Sequence, residues 1–312
     1  MKIKLSIIIV NYKTHQLTIL CIQSIFNTVK EINYEVIVVD NNSDDDSEKQ
    51  IKKNFPQVIW IQKKENDGFG RANNVGIKHS KGKYILLLNS DIILLTNTVE
   101  KCLNVIRNDK SIGILGCKLL NEDGTIQKST YTGNGNATDI LKDNLLLDYI
   151  FKLHKKKKKI KALMGSFILI PKVVLDKVGW FDSDFFMYSE DIDLCRRIGK
   201  QGYKIFYYNE VQAIHKHGAS SLNKDWAIKQ NYLSNALLQY KSYGIFNYLL
   251  YHVIFFVNTL TNLFAMWFLD ETYRKGFWLE QNYYFSNILC YFAIPFLFKR
   301  KIGIGKRLFR RN

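Results

Sequence analysis

Short apolar runs alternate with helical stripes through the first 120 residues. The runs lie within residues 5–10, 35–40, 58–61, 84–88 and 112–117, and the second is bounded by Glu35 and Asp40. Continuous apolar runs of this length predict strands that are buried on both faces of a sheet. Between them, residues 14–26 and 96–108 have the pattern of amphipathic helices. Strands and helices that alternate at this spacing predict an α/β fold with a mostly parallel, Rossmann-like sheet flanked by helices.

Three of these strands end in polar residues. Asn11 and Tyr12 follow the first strand, Asp40 ends the second, and Asn89-Ser90-Asp91 follows the fourth. Ligands of open α/β sheets bind outside the carboxyl ends of the strands, so one crevice can collect all three groups. A carboxylate there can hold a divalent metal on a diphosphate. On the residues alone, Asp91 is equally well explained as a cap of the turn before the next helix.

A glycine-containing segment, residues 66–76, follows the third strand and opens a helix. Backbone amides at a helix N-terminus, with Arg71 beside them, favour a diphosphate. The alternative is a plain loop with helix-capping glycines. The segment lacks the third glycine of a dinucleotide fingerprint and does not follow the first strand, which disfavours a dehydrogenase.

The second half of the chain has a dense polar stretch between predicted strands at residues 167–170 and 203–208. Glu190 and Asp191 begin a predicted helix, where the helix dipole stabilises acidic side chains. The alternative is that one of them is a general base, because clustered, buried carboxylates have raised pKa values. Further on, His215 and His217 follow a strand, and a structural role and a metal or phosphate contact are equally open.

The C-terminal region differs from the rest. Residues 245–269 contain no Asp, Glu, Lys or Arg, residues 288–298 are also apolar, and seven of the fourteen residues 299–312 are basic. Aromatic-rich helices with a cationic tail predict association with an anionic membrane surface. The alternatives are a spanning helix and a helical cover over the core with a disordered basic tail. The lysine run, residues 155–159, predicts a solvated loop.

Composition limits the size of the domain, the kinds of partner and the cellular compartment that the chain suits. The chain has 312 residues, 47% of them hydrophobic, which suits one large domain with an appendage. Its net charge of +17 favours nucleic acid, acidic lipid or a phosphorylated substrate. Five scattered cysteines indicate no disulfide framework and suit a reducing cytosol. The first apolar run is too short for a signal peptide.

Several motifs occur in an order that resembles the family 2 glycosyltransferases with the GT-A fold. They are residues 6–12, 38–43, 66–76, 88–91, 123–127, 179–182 and 188–195. The combination is most similar to the rhamnosyltransferase-type branch, which builds bacterial surface polysaccharides. The resemblance covers about residues 3–225. It implies a GT-A domain at 1–225, with a nucleotide-sugar half at 1–117 and an acceptor half at 118–225. Residues 226–312 are then the helical, membrane-associating appendage that the composition of the C-terminal region predicts.

The resemblance implies a role for each matching residue. Tyr12 and Asp40 would contact the base or ribose, and Asn66, Gly68, Arg71 and Asn73 the diphosphate. Asn89-Ser90-Asp91 stands where the family has Asp-x-Asp, so Asp91 alone supplies a carboxylate to Mg²⁺ or Mn²⁺, with His215 as a further metal or diphosphate contact. Asp191 matches the catalytic base, beside Glu190. The complete predicted nucleotide-sugar site is Asn11, Tyr12, Asp40, Asn66, Gly68, Arg71, Asn73, Asn89 and Ser90.

The activity that the resemblance implies is metal-dependent, inverting transfer of a sugar, with rhamnose as one candidate, from a UDP- or dTDP-sugar. The acceptor would be a saccharide on a polyprenyl diphosphate, at the cytoplasmic face of the inner membrane, where the enzyme would be peripheral. An inactive carbohydrate-binding or scaffold protein on this fold would show a degraded Asp91 or Asp191, and both are intact. A sugar nucleotidyltransferase should have an N-terminal glycine-rich loop, which residues 10–13 lack. Nucleic-acid binding would rest on charge alone, so no nucleic-acid partner is expected.

Overall fold

The computed structural model describes residues 3–132, 159–216 and 224–265. His217, most of the lysine run and the segments 266–269, 288–298 and 299–312 lie outside the described residues. The chain forms two compact units, the first made of Met1–Tyr131, Ile160–Phe186 and Glu190–Leu222, and the second of Thr132–Lys159, Met187–Ser189 and Asn223–Asn312. The domain boundary at residue 225 and the division of the first domain at residue 117 both stay predictions.

The first unit contains one large sheet, a two-stranded sheet and six described helices. The strands are β1 (Leu5–Asn11), β2 (Tyr34–Asp40), β3 (Ile59–Gln62), β4 (Tyr84–Asn89), β5 (Ile92–Leu94), β6 (Ile112–Leu120), β7 (Ile126–Gln127), β8 (Thr130–Tyr131), β9 (Ala162–Leu163), β10 (Phe167–Pro171) and β11 (Lys204–His215). The helices are α1 (His15–Thr28), α2 (Ser47–Asn54), α3 (Phe69–His79), α4 (Thr98–Asn108), α5 (Lys172–Val178) and α6 (Glu190–Lys200). The large sheet has the order β3-β2-β1-β4-β10-β6-β11-β5, with β7 on β6, and β8 pairs with β9.

Most strands of the large sheet run in one direction, as the sequence predicts. Strands β3, β2, β1 and β4 pair in parallel, and β11 is parallel to β6. Strand β10 is antiparallel to both β4 and β6, and β5 and β7 are antiparallel edge additions. The α/β prediction of a mostly parallel sheet is therefore confirmed, but β10 interrupts the parallel order. Periodicity identifies a strand and carries no information about its direction.

Strand β4 shows why the sheet is covered on both faces. Leu86 and Leu88 pack in a core cluster with α1 and α4, whereas Ile85 and Leu87 pack in a second cluster with α3, α5 and α6. All four side chains are at most 2% exposed. Alternate residues of a strand point to opposite faces, so the apolar run at 85–88 supplies both cores at once.

Helix α3 begins at a position that only glycine can occupy. Gly68 has φ +89°, and a Cβ atom there would overlap the backbone carbonyl of Phe186. The close approach exists because Phe69 N donates a hydrogen bond of 2.8 Å to Phe186 O. Gly68 thus fixes the start of α3 against the chain that leads to α6.

The second unit contains one described element, α7 (Lys224–Ala265), which is two helices joined at Gly244. Gly244 has φ 80° and ψ 176°, and the segments before and after it pack together. Tyr232 lies edge-on to Phe255, with ring centroids 5.9 Å apart, and Tyr240 lies edge-on to Tyr248 at 5.8 Å. The predicted helical character of the C-terminal region is confirmed for these residues. No helix in the described ranges is both long and apolar enough to cross a membrane.

The substitution Gly68→Ala should lower the free energy of unfolding by about 3 kcal/mol. The alanine side chain would meet a backbone carbonyl and would force a residue with Cβ into a positive-φ conformation. Gly124→Ala is the matched control, because Gly124 has φ +82° and nothing within 4 Å of a Cβ. The control should lose only about 1 kcal/mol in urea unfolding. Equal losses for the two variants would contradict the close approach at Phe186.

Candidate active site

Asp40 joins the carboxyl ends of the first three strands. Its Oδ1 accepts hydrogen bonds from Asn11 Nδ2 at 2.7 Å and from Ser43 Oγ. Its Oδ2 accepts from Ser43 N and from Gln62 Nε2, each at 2.8 Å. Asp40 is only 1% exposed, so its carboxylate is saturated by the ends of β1, β2 and β3. Gln62 was not among the predicted site residues, although it is a polar residue at the end of the third strand, which is a readable signal.

A threonine carries this network from β1 to the end of β4. Thr14 Oγ1 lies 3.3 Å from Asn11 Oδ1 and 3.2 Å from Ser90 Oγ. Thr18 Oγ1 donates to the same Asn11 oxygen at 2.7 Å. The three polar strand ends predicted to share one crevice therefore do lie together. Thr14 and Thr18 gave no sequence signal, because threonines at the start of an amphipathic helix are ordinary.

The half-buried Tyr12 ring lies at this edge, beside Lys13, whose Nζ is 5.8 Å from the ring centroid. Lys13 has a positive φ of 56°, and its backbone N–H donates to Ser43 Oγ at 2.8 Å. This bond fixes the turn after β1. Tyr12 is thus a partly exposed aromatic ring with a cation next to it.

In the glycine segment, Asn66 caps the turn before α3. Its Oδ1 accepts hydrogen bonds from Gly68 N at 3.0 Å and from Asn41 Nδ2 at 2.7 Å. Asn66 therefore holds the segment to the loop after β2. The structure gives Asn66 and Gly68 a defined conformational role at the predicted diphosphate crevice.

The other two residues predicted for the diphosphate are anchored to backbone carbonyls. Arg71 Nε donates to Ser183 O at 2.6 Å, and Asn73 Nδ2 donates to Phe69 O at 3.0 Å. Asn73 is 1% exposed, whereas Arg71 is half-buried. Arg71 thus ties α3 to the loop before α6, and Asn73 stabilises the first turn of α3.

Asp91 and His215 form a buried pair at the end of β4. Strand β11 ends opposite the start of β5, with His215 in register with Ile92, and this pairing brings the histidine to Asp91. His215 Nε2 lies 3.2 Å from Asp91 Oδ1, and the two residues are 4% and 1% exposed. Asp91 does lie in a turn, but that turn leads into β5 at Ile92 rather than into a helix, since α4 begins only at Thr98.

Gln127 sets the orientation of this histidine. His215 Nδ1 lies 2.6 Å from Gln127 Oε1, and because that oxygen only accepts, Nδ1 carries the hydrogen. Nε2 therefore faces Asp91, in the arrangement by which outer partners fix metal-binding histidines. Gln127 was not predicted as a site residue, although it ends the 123–127 motif of the family resemblance.

A carboxylate oxygen and an imidazole nitrogen suit a divalent cation of the Mg²⁺ or Mn²⁺ type. Within the described ranges, no group of three or more His, Cys, Asp or Glu residues is arranged to hold a metal. The protein would therefore supply two ligands, and substrate phosphates and water would supply the rest, which is the usual pattern for magnesium. Asp91 and His215 fit that role.

Helix α6 begins with the acid pair Glu190 and Asp191. Asp191 Oδ2 accepts from Gly165 N at 2.9 Å, and Oδ1 accepts from Ile192 N at 2.8 Å. Burial raises the pKa of Asp191 to about 6, against the opposing effect of these backbone hydrogen bonds. The carboxylate is 8% exposed. Asp191 is thus ionised at neutral pH, with a pKa close enough to neutrality for proton transfer.

Glu190 lies in a different environment. Burial and the neighbouring Asp191 charge raise the pKa of Glu190 well above its usual value. It is 4% exposed, and among the described residues its Oε2 has no hydrogen-bond partner. Burial and the Asp191 charge both favour the protonated form of Glu190. Adjacent carboxyl groups whose environments shift their pKa values differently are typical of sites that perform acid or base chemistry.

The acid pair, Glu190 and Asp191, and the buried pair, Asp91 and His215, lie at the same edge of the sheet. Gly165, which donates to Asp191, is followed by Ser166, whose carbonyl accepts from Asn89 N at 3.0 Å. Asn89 is two residues before Asp91. Ser166 Oγ and Asn89 Oδ1 are buried and have no hydrogen-bond partner among the described residues. Ser166 was missed by the sequence reasoning, although a Gly-Ser pair before a strand was visible.

Comparisons with known proteins agree on the family. The family model described as glycosyl transferase family 2 matches residues 6–179. A low-salt glycan biosynthesis hexosyltransferase, Agl10 of Haloferax volcanii, is 27% identical over 215 residues, 68% of this chain and 66% of the relative. The rhamnosyltransferase WbbL of Escherichia coli is 28% identical over 199 residues, 59% of this chain and 73% of WbbL.

Another relative and a solved structure complete the comparison. The N-acetylglucosaminyl-diphospho-decaprenol L-rhamnosyltransferase of Mycobacterium tuberculosis is 24% identical over 215 residues, 61% of this chain and 68% of the relative. The mannosyltransferase PcManGT of Pyrobaculum calidifontis, solved with GDP-Man and Mn²⁺, superposes with a TM-score of 0.61 at 13% identity. The superposition covers 93% of this chain and 87% of PcManGT, which shows a shared fold.

The family model covers more than half of the chain. The chain belongs to glycosyl transferase family 2 and has a GT-A-like α/β fold.

Proposed function

We propose that this protein is an inverting glycosyltransferase in which Asp191 is the catalytic base. The observation that carries the proposal is the buried acid pair: the backbone N–H groups of Gly165 and Ile192 hold the Asp191 carboxylate beside Glu190, and burial raises the pKa of Asp191 to about 6. The pair shares an edge of the sheet with Asp91 and His215. A base and a group that can hold a diphosphate are the two requirements for moving a sugar from a nucleotide.

The reaction is a single displacement. Asp191 takes the proton of an acceptor hydroxyl, and that oxygen forms a bond to the anomeric carbon of the donor sugar. The bond between the anomeric carbon and the diphosphate oxygen breaks at the same time, and the nucleoside diphosphate leaves with the bonding electrons. Attack from the face opposite the leaving group inverts the anomeric configuration.

Asp91 and His215 would hold Mg²⁺ or Mn²⁺ against the donor diphosphate. When bound, the metal supplies Lewis-acid stabilisation of the charge on the leaving group. Gln127 keeps His215 Nε2 turned towards this position. The structural neighbour PcManGT was solved with Mn²⁺ and a nucleotide sugar, which supports a divalent ion.

The donor is proposed to be a UDP- or dTDP-sugar, with rhamnose as a candidate. Tyr12 would stack on the base, while Asn11 and Asp40 maintain the strand ends beneath the nucleotide. Asn66, Gly68, Arg71 and Asn73 would shape the diphosphate crevice, with Ser90 in the network beside it.

Two buried polar atoms at this edge suit the transferred sugar. Asn89 Oδ1 and Ser166 Oγ, which have no hydrogen-bond partner within the described part of the chain, would bond sugar hydroxyls, since buried polar atoms without partners carry a free-energy cost that such bonds would remove.

The acceptor is proposed to be a saccharide on a polyprenyl diphosphate, at the cytoplasmic face of the inner membrane. The name of the mycobacterial relative specifies a decaprenol-linked acceptor, and two relatives are named as rhamnosyltransferases. The competing possibility is an inactive carbohydrate-binding protein on the same fold. Release of free UDP or dTDP from a donor, with an added acceptor, separates the two.

The variant Asp191→Asn should lose sugar transfer by about 10³-fold while it still binds nucleotide, because loss of a general base costs about 10²–10⁴ in rate. Asp193→Asn on the same helix is the control. Asp193 pairs with Arg197 at 2.8 Å and has no proposed role in the chemistry. Nucleotide release and thermal unfolding should be followed for both. Transfer by Asp191→Asn within tenfold of wild type would refute the assignment of the base.

The pH dependence of transfer should report the ionisation of Asp191. The pKa of this group is raised to about 6, and only the ionised form accepts a proton, so kcat/KM should fall about tenfold per unit as the pH drops below that value. The assay requires saturating metal and buffers of constant ionic strength. A wild-type profile that stays level through this range would exclude Asp191 as the titrating base.

The variant Asp91→Asn should abolish the part of nucleotide affinity that depends on metal. Wild-type protein should bind UDP or dTDP more tightly with Mn²⁺ than with EDTA, and the variant should bind equally weakly in both, because its amide is a weaker cation ligand. Asp109→Asn, at an exposed surface site, should behave like wild type. Metal-dependent binding that survives in Asp91→Asn would count against this ligand.

A further inference from the structure

We infer that one face of the second half of α7 docks on the surface of an anionic lipid bilayer. This apolar stripe is 45–86% exposed and consists of Phe246, Leu249, Leu250, Val253, Val257 and Leu260. At 3.6 residues per turn, these positions fall within an arc of about 100° on one side of the helix. They extend over about 21 Å of helix length.

The buried residues on the other side of the helix show which way this stripe faces. Tyr248, Tyr251 and Ile254 are 1%, 6% and 7% exposed. Tyr248 packs on Tyr240 from the first half of α7, and the two halves are also joined by a hydrogen bond from Asn247 Nδ2 to Gln239 Oε1 at 2.7 Å. The helix is therefore held by one face within its own unit, and the stripe lies on the opposite face.

The composition of the stripe is unusual for a face in contact with water. Helices on the surface of globular proteins place charged side chains there, yet residues 245–265 contain no Asp, Glu, Lys or Arg. A contiguous exposed apolar patch normally marks a docking surface. The first half of α7, by contrast, has Lys229 and Lys241 among its residues. The unusual composition is thus confined to the segment after Gly244.

A bilayer is the occupant that the shape and the charge favour. A helix with one apolar face and the other face packed lies in the interfacial plane of a membrane, with that face among the acyl chains. The chain has a net charge of +17, and seven of the residues 299–312 are basic, which favours anionic headgroups. A second copy would bring the same positive charge, so repulsion opposes self-association through this face.

This docking would bring the enzyme to an acceptor that is anchored in the membrane. The inference rests on the proposed function only in the choice of the cytoplasmic leaflet. Vesicle binding requires neither donor nor acceptor, and transfer to a water-soluble acceptor analogue requires no membrane. The two proposals can therefore fail independently.

The test is co-flotation of the full chain with vesicles of phosphatidylglycerol and phosphatidylethanolamine, compared with vesicles of phosphatidylcholine alone. Wild-type protein should float with the anionic vesicles. The double variant Leu250→Ser/Val253→Ser should reduce its partition about tenfold, because two apolar side chains no longer enter the bilayer. The control Ile126→Ser/Val173→Ser removes two exposed apolar side chains from the first unit and should change partition less than about twofold.

Three outcomes would overturn the inference. The first is absence of wild-type flotation, or equal flotation of the stripe variant and wild type. The second is a wild-type dimer that the stripe variant converts to a monomer in light scattering, which would assign the stripe to a second copy. The third is a lower unfolding temperature of the stripe variant with unchanged flotation, which would mean that the chain itself covers the stripe.

Discussion

The antiparallel insertion of β10 between β4 and β6 is the constraint on which the site depends. Because β10 runs against β4, with Phe167 in register with Leu88, its first residues lie at the carboxyl end of β4. Gly165 and Ser166 are thereby placed beside Asn89. A parallel strand at this position would present its opposite end. The direction of one short strand thus brings the partner of Asp191 to the edge that holds Asp91.

Burial raises the pKa values of the two acids at this edge, Glu190 and Asp191. Hydrogen bonds from Asn11, Ser43 and Gln62 satisfy the Asp40 carboxylate and hold the ends of β1, β2 and β3 together. Desolvation and the neighbouring Asp191 charge raise the pKa of Glu190, whereas the backbone N–H groups of Gly165 and Ile192 oppose the effect of burial on Asp191, whose pKa is about 6. The hydrogen-bond partners, rather than the residue type, therefore distinguish the saturated Asp40 carboxylate from Asp191, the proposed base.

The two units of the chain follow different rules of composition. In the first, apolar side chains fill both faces of the sheet, and the polar residues discussed here collect at the strand ends. In the second, tyrosines pack the two halves of α7 together, while aliphatic residues after Gly244 stay exposed. Helices of globular proteins that face water usually have charged residues at such positions. The proposed contact with a bilayer accounts for these exposed apolar residues.

The sequence by itself determined the alternating strands and helices, the polar residues at the strand ends and the family, because buried strands and motifs of fixed spacing depend on local order. It did not determine the direction of β10, the strand that follows Asp91, or the contacts of Thr14, Gln62, Gln127 and Ser166. Their partners are distant along the chain, as in the 88 residues between Gln127 and His215. Only the packed sheet decides such contacts, since hydrogen bonding and desolvation act through space, whereas a sequence pattern records only neighbours along the chain.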